Sequence, residues 1–97
     1  MSSLSFEWDP MKAASNAAKH GVSFDEAQTA FSDPHALLIP DPDHSVVENR
    51  FILMGMSTNL RVLVVVHCLR KEGSVIRIIS ARRAGTKERQ PYLAGLS

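Results

Sequence analysis

The chain has 97 residues, 44% hydrophobic and 22% charged, which suits one globular domain, residues 1–97, with a single modest core. Its lone cysteine has no partner, MSSLSFEWDP lacks the basic start and apolar core of a secretory signal, and the longest apolar run, VLVVVHCL, is too short to span a bilayer. A disulfide scaffold, a secreted protein or a membrane protein is therefore not expected, and a cytoplasmic location is. The net charge of +1 hides a split: residues 1–49 sum to −6 and residues 50–97 to +7. Either the two halves attract each other in the fold, or the basic half meets a polyanion.

In chain order, SFEW reads as a short first strand. Asp9 followed by Pro10 marks a helix start, with a side-chain acceptor for the first free amides and a proline where its missing N–H does no harm. The helix MKAASNAAKH stops at Gly21, the residue best suited to a left-handed cap. Ser23 and Glu26 fit the capping box S-x-x-E, so a second short helix is expected from Phe24 to Phe31. ALLIP is a candidate brief strand, and the proline-marked DPDHSVVEN a loop.

Three strands follow, RFILMGMS, RVLVVVHCLR and SVIRIISAR, joined by the short turns TNL and KEG as antiparallel hairpins. The middle one is apolar on both parities and should be central. A last helix is expected from Thr86 to near Tyr92. Pro91 falls about six residues into it, where it costs roughly 3 kcal/mol in a regular interior, so that helix should be short or kinked. The result is an α+β fold: a small antiparallel sheet of three main strands plus one or two short ones, two N-terminal helices and a short C-terminal one.

Elimination narrows the chemistry. His67 and Cys68 are adjacent on a strand, so they point to opposite faces and cannot form a thiol–imidazole pair; Cys68 reads as a packing residue. The four histidines show no metal-ligand spacing, and DPDHS lacks the glycine and glutamate of a calcium loop. No metal and no cofactor are expected, and no nucleotide-binding or nucleophile-elbow motif is present.

What remains is arginine. Arg50 and Arg61 open two strands, Arg77 interrupts VIRII, and Arg82 and Arg83 end that strand. Burying Arg77 alone costs too much, so either a carboxylate answers it (Glu7, Glu48 or Glu88) or its face is an open groove. Arg82 and Arg83 diverge, so at most one shares a site with it. A guanidinium grips phosphate but cannot act as a base. The proton acceptors within reach are His67, Glu88 and Tyr92, the last two four apart on one helix face. Together these make a phosphodiester site conceivable, beside the bland reading of solvated edge charges.

The stretches FEWDPMKAASNAAKHGVSFDEAQTAFSDP, PDPDHSVVENRFILMG and VIRIISARRAGTKERQPY resemble the BrnT family of type II toxins. The specific pieces are Trp8, Asp9, Lys12, Asn16, Lys19, His20 and Gly21, then Glu48 and Arg50, then Arg77, Ser80, Arg82, Arg83, Glu88, Arg89 and Tyr92, all in order. Gln90 and Pro91 depart from the basic helix formers usual there.

The resemblance implies a RelE-like fold, a small antiparallel sheet with helices on one side, and an RNA-cleaving toxin that arrests translation; the expectation built on it is a metal-independent ribonuclease. The expected reaction is 2′-hydroxyl attack on the neighbouring phosphate, giving a 2′,3′-cyclic phosphate and a 5′-hydroxyl. On this reading Arg77, Arg82 and Arg50 hold the phosphate, while His67, Glu88 or Tyr92 handles protons. His20 is a secondary catalytic candidate, and Arg61, Arg83, Lys87 and Arg89 contact RNA. The implied partner is a BrnA-type antitoxin with a ribbon-helix-helix part, forming a hetero-oligomer that meets DNA only through the antitoxin. The alternatives are a non-catalytic module that binds antitoxin or RNA in operon autoregulation, and a plain scaffold subunit.

Overall fold

The computed structural model describes residues 4–41 and 49–96. Most of the expected loop DPDHSVVEN, including Glu48, lies outside the described residues. Strand β1 (Ser5–Glu7) leads into helix α1 (Pro10–His20). Asp9 caps α1 by accepting the Met11 N–H at 2.9 Å, and Gly21 closes it at φ 69°, its N–H returning to the Ala17 carbonyl. Ser23 caps α2 (Phe24–Thr29) by accepting the Glu26 N–H at 3.0 Å, and a 3₁₀ turn, Ala30–Ser32, extends it. Only that half of the capping box forms, because the Glu26 carboxylate is engaged elsewhere.

Strands β2 (Leu37–Pro40), β3 (Arg50–Met56), β4 (Val62–Arg70) and β5 (Val75–Arg83) follow, then helix α3 (Gln90–Ala94). The five strands lie in the order β1-β5-β4-β3-β2. The hairpins β3–β4 and β4–β5 are antiparallel and β4 is central, as its pattern implies. The sheet is not wholly antiparallel, however: β1 runs parallel to β5, Phe6 opposite Ile76 and Glu7 opposite Arg77. Three residues carry no directional signal of their own, so only the tertiary path settles this pairing.

The main core fills one face of the sheet. Leu63 and Val65 of β4 and Ile76, Ile78 and Ala81 of β5 meet Val22, Phe24 and Ala27 from the α1–α2 segment, with Trp8 packed alongside. Gly55 lets the 3₁₀ turn close on β3, since a Cβ there would sit 2.9 Å from the Ala30 carbonyl oxygen. A smaller cluster, Met54, Val62, Val64 and Tyr92, occupies the opposite face. The C-terminal helix therefore packs on the other side of the sheet from α1 and α2, where the resemblance implied all helices on one side.

The last helix also begins later than Thr86. Residues 86–89 form a turn, and Pro91 sits in the first turn of α3. There proline removes no helical hydrogen bond, so the expected cost does not arise.

Asn16 has a part that its sequence context did not disclose. It is 7% exposed, and its amide nitrogen donates to the carbonyls of Ala81 (2.8 Å) and Val22 (3.0 Å) while its oxygen accepts the Ala81 N–H (3.1 Å). One side chain thus satisfies the edge of β5 beyond the end of β1, as a neighbouring strand would.

Candidate active site

Between Val66 and His67 the β4–β5 register shifts: Val66 lies opposite Ser80, but His67 lies opposite Ile78. Ile79 is the extra residue of a β-bulge, and a bulge changes which face the following side chains take. Strict alternation from Arg77 would bring Arg83, not Arg82, to its side. With the bulge, Arg77 and Arg82 both lie on the face away from α1 and α2, and Ile76, Ile78 and Ala81 all still reach the core.

Cross-strand pairing then builds the site in rows. Glu7, Arg77, Cys68 and Arg50 lie side by side across β1, β5, β4 and β3. Ser80, Val66, Ile52 and Ile39 form the next row, and Arg82, Val64, Met54 and Leu37 the one after. The outer rows are four residues of β4 apart, about 13 Å at the usual strand rise. Cys68 is half-buried on this face rather than in the core. Tyr92 of α3 covers Val64 and Met54 of the last row, and the remainder, the open face, is a basic surface with an apolar and hydroxyl-bearing middle.

Arg77 and Arg82 are both held by carboxylates. Arg77 donates to Glu7 Oε2 at 3.1 Å, and Arg70, which the sequence reading did not single out, approaches the same oxygen at 3.6 Å. Arg82 makes a two-pronged bond to Glu88, Nη1 to Oε1 and Nη2 to Oε2, each 2.7 Å. Glu88 also accepts the Gly85 N–H at 3.0 Å. The Arg82 guanidinium, then that amide, hold the Glu88 carboxyl down at about 2.

His67, Tyr92, Arg61 and His20, also expected at the site, stand apart from these pairs. His67 is 1% exposed on the helix-covered face, its ring 4.8 Å from that of Phe31 and its Nδ1 3.2 Å from the Val65 carbonyl oxygen. Burial pushes its imidazole below the ordinary value. It cannot reach a phosphate on the open face, which corrects the expectation that it lies among the strand arginines; parity already placed it apart from Cys68.

Tyr92 is 2% exposed and donates to Asp33 Oδ2 at 2.5 Å. Burial, then the Asp33 bond, pushes its phenol up to about 12. It shares no helix turn with Glu88, because residues 86–89 are outside α3, and so it anchors the C-terminal segment instead. Arg61 is paired with Glu26, which also accepts from Ser57 Oγ at 2.7 Å, while Arg61 Nη2 reaches the Gly21 carbonyl at 3.2 Å. That guanidinium ties the β3–β4 turn to α2, its charge answered by Glu26.

His20 ends α1 on the helix-covered side. Arg83 and Lys87 are exposed and Arg89 half-buried around the turn before α3. Among the described residues no group of three or more His, Cys, Asp or Glu side chains is arranged to hold a metal, and no helix is long and apolar enough to cross a membrane.

A family model described as the ribonuclease toxin BrnT of type II toxin–antitoxin systems matches residues 8–88. The crystal structure of the Brucella abortus ribonuclease toxin BrnT, at 1.1 Å resolution, superposes with a TM-score of 0.67. It is 23% identical, over 87% of this chain and 100% of that one. At that identity the likeness speaks to the fold alone. No curated protein matches the sequence. The family match runs from Trp8 through the strand arginines to Glu88, and the chain belongs to the BrnT family, the ribonuclease toxins of type II toxin–antitoxin systems.

Proposed function

We propose that the protein is a metal-independent endoribonuclease whose substrate lies across the open face of the sheet. The observation that carries this reading is the bulge at Ile79, which lines Arg77 and Arg82 up on the face that also holds Arg50. Guanidinium groups bring fixed positive charge and paired donors to a phosphate. They stabilise the charge that grows on its oxygens in the transition state. The 2′-oxygen forms the new bond to phosphorus and the P–O5′ bond breaks. The 2′-hydroxyl proton goes to a carboxylate, and the departing 5′-oxygen takes a proton from water. The products are a 2′,3′-cyclic phosphate and a 5′-hydroxyl.

Glu88 is the proton acceptor beside Arg82, yet at about 2 its carboxyl is a feeble base. Its largest depressing influence is Arg82. A substrate phosphate that takes over the Arg82 fork removes that influence, so Glu88 gains basicity where the 2′-hydroxyl arrives. Tyr92 and His67, held by Asp33 and by burial, have no such release. The antitoxin that the family implies is, on this reading, a BrnA-type protein with a ribbon-helix-helix part. It neutralises the toxin in a hetero-oligomer, and the free toxin arrests translation by RNA cleavage in the cytoplasm.

A second reading, a binding module without catalysis, draws on the same ion pairs: in this state every candidate acceptor is engaged. Cleavage of end-labelled RNA in EDTA separates the two. Arg82→Ala should lower the rate about 10²–10³-fold and Glu88→Gln on the order of 10²-fold or more, with cyclic phosphate ends on the wild-type product. RNA bound but left whole by the wild type, with or without ribosomes, would leave the binding reading standing.

A further inference from the structure

A cavity of about 220 Å³ opens beside α3, lined by Arg61, Arg83, Arg89, Leu60, Val62 and Leu93 among others. Its charges differ from those of the open face. Arg61 is neutralised by Glu26. Glu88, the acid nearest in sequence, is taken by Arg82. Arg83 and Arg89 have no carboxylate partner among the described residues, and Arg89 Nε is buried with no acceptor. A buried donor without an acceptor is rare in folded proteins and calls for an explanation. Two uncompensated guanidinium groups over one cavity make it an anion pocket.

Its other walls narrow the ligand. Leu60 is 80% exposed, held out at a positive φ of 60°, and Leu93 is 37% exposed. A bare inorganic anion gains nothing from apolar side chains at the rim. A nucleotide does, because its base has an apolar face to lay against them while its phosphate takes the guanidinium donors. The position fits as well. Arg82 and Arg83 are consecutive at the end of β5, so one strand sends one guanidinium to the open face and the next to this cavity.

We infer that the cavity is a second RNA subsite, holding the phosphate and base of a nucleotide flanking the one that is cleaved. The inference rests on the reading of RNA as substrate, but not on the cleavage step. Its consequence is a minimum substrate length: an RNA that cannot reach both Arg82 and the Arg83–Arg89 pocket binds poorly.

The test is fluorescence anisotropy with a labelled, single-stranded 2′-O-methyl oligonucleotide, which cannot be cleaved, over a range of salt concentrations. Arg83→Ala/Arg89→Ala should bind about tenfold more weakly, with the slope of log K against log salt reduced by about 0.7, the value for one phosphate contact on a single strand. Arg83→Lys/Arg89→Lys should keep the slope, which also controls for folding. Leu60→Ser should weaken binding a few-fold with the slope unchanged. Wild-type affinity and slope in the double alanine variant would overturn the subsite, even where Arg82-dependent cleavage holds. A lost slope in a protein that never cleaves would leave the subsite standing and remove the catalytic reading. Unchanged oligonucleotide binding with weakened antitoxin binding would hand the cavity to the partner.

Discussion

The two faces of the sheet use the same residue types to different ends. On the helix-covered face, Arg61 and Glu26 form a pair whose acid is 8% exposed, braced by Ser57 and the Gly21 carbonyl. On the open face, Arg82 and Glu88 form a pair whose side chains are 46% and 35% exposed. Enclosure makes the first pair costly to break from one side, because the remaining charge stays buried. Exposure makes the second cheap to open, and surface pairs contribute only about 1 kcal/mol or less. The first is a tie in the fold; the second is a guanidinium kept in place until an anion arrives.

The largest effect that would break this division is on stability. Arg61→Met should lower the Tm more than Arg82→Ala does, because it leaves the enclosed Glu26 carboxylate without its cation, as read by thermal unfolding. Cleavage per folded molecule, measured well below the new Tm, should fall far less than on removing Arg82, because Arg61 meets the cavity beside α3 with its charge already answered by Glu26. A hundredfold loss of cleavage in a folded variant would mean that Arg61 acts on the scissile phosphate itself and that the faces are not divided.

How far this division can be read from sequence depends on the range of the signals. Asp9, Pro10, Gly21 and Ser23 act on amides and carbonyls a few residues away, so α1 and α2 are legible where they stand. The central place of β4 follows from its two-sided apolar pattern. The bulge is not legible. Ile79 is one more aliphatic residue in VIRIIS, and only the need to keep Ile78 and Ala81 together in the core, with Asn16 holding the Ala81 backbone, shows that a residue is extra. Choosing between Arg82 and Arg83 needed that fact. Likewise Glu88 and Tyr92 look like helix neighbours at a spacing of four until Pro91 is seen to open α3 rather than interrupt it.

A smaller effect sharpens the role of the bulge. Deleting Ile79 restores regular alternation without turning either arginine over, because Ser80 then follows Ile78 on the open face and Arg82 remains on the side of Arg77. Cleavage should fall less than about tenfold, far below the loss expected on removing a transition-state donor. A folded deletion variant as inactive as Arg82→Ala would show that the bulge aims the guanidinium through added twist, not merely through parity.

The smallest effect concerns His67, which belongs wholly to the helix-covered face. Its ring, packed against Phe31 and near Phe51, is kept neutral by burial, below the ordinary value of 6.5. The unfolded chain takes up a proton below pH 6.5 and the folded one resists it. Stability is therefore full above pH 6.5 and declines as pH falls from there toward the folded value, by at most about 1.4 kcal/mol per pH unit. Glu88 acts in a separate, more acidic window, since its depressed carboxyl loses its contribution only as pH falls from 4.5 toward about 2. Urea unfolding at pH 7.5 and 5.5 isolates the histidine. The wild type should lose stability between the two, and His67→Leu should lose less, while the pH profile of RNA cleavage stays the same in both. A folded His67→Leu variant whose cleavage profile lost its acid limb would place the imidazole in the reaction and remove the separation of the faces.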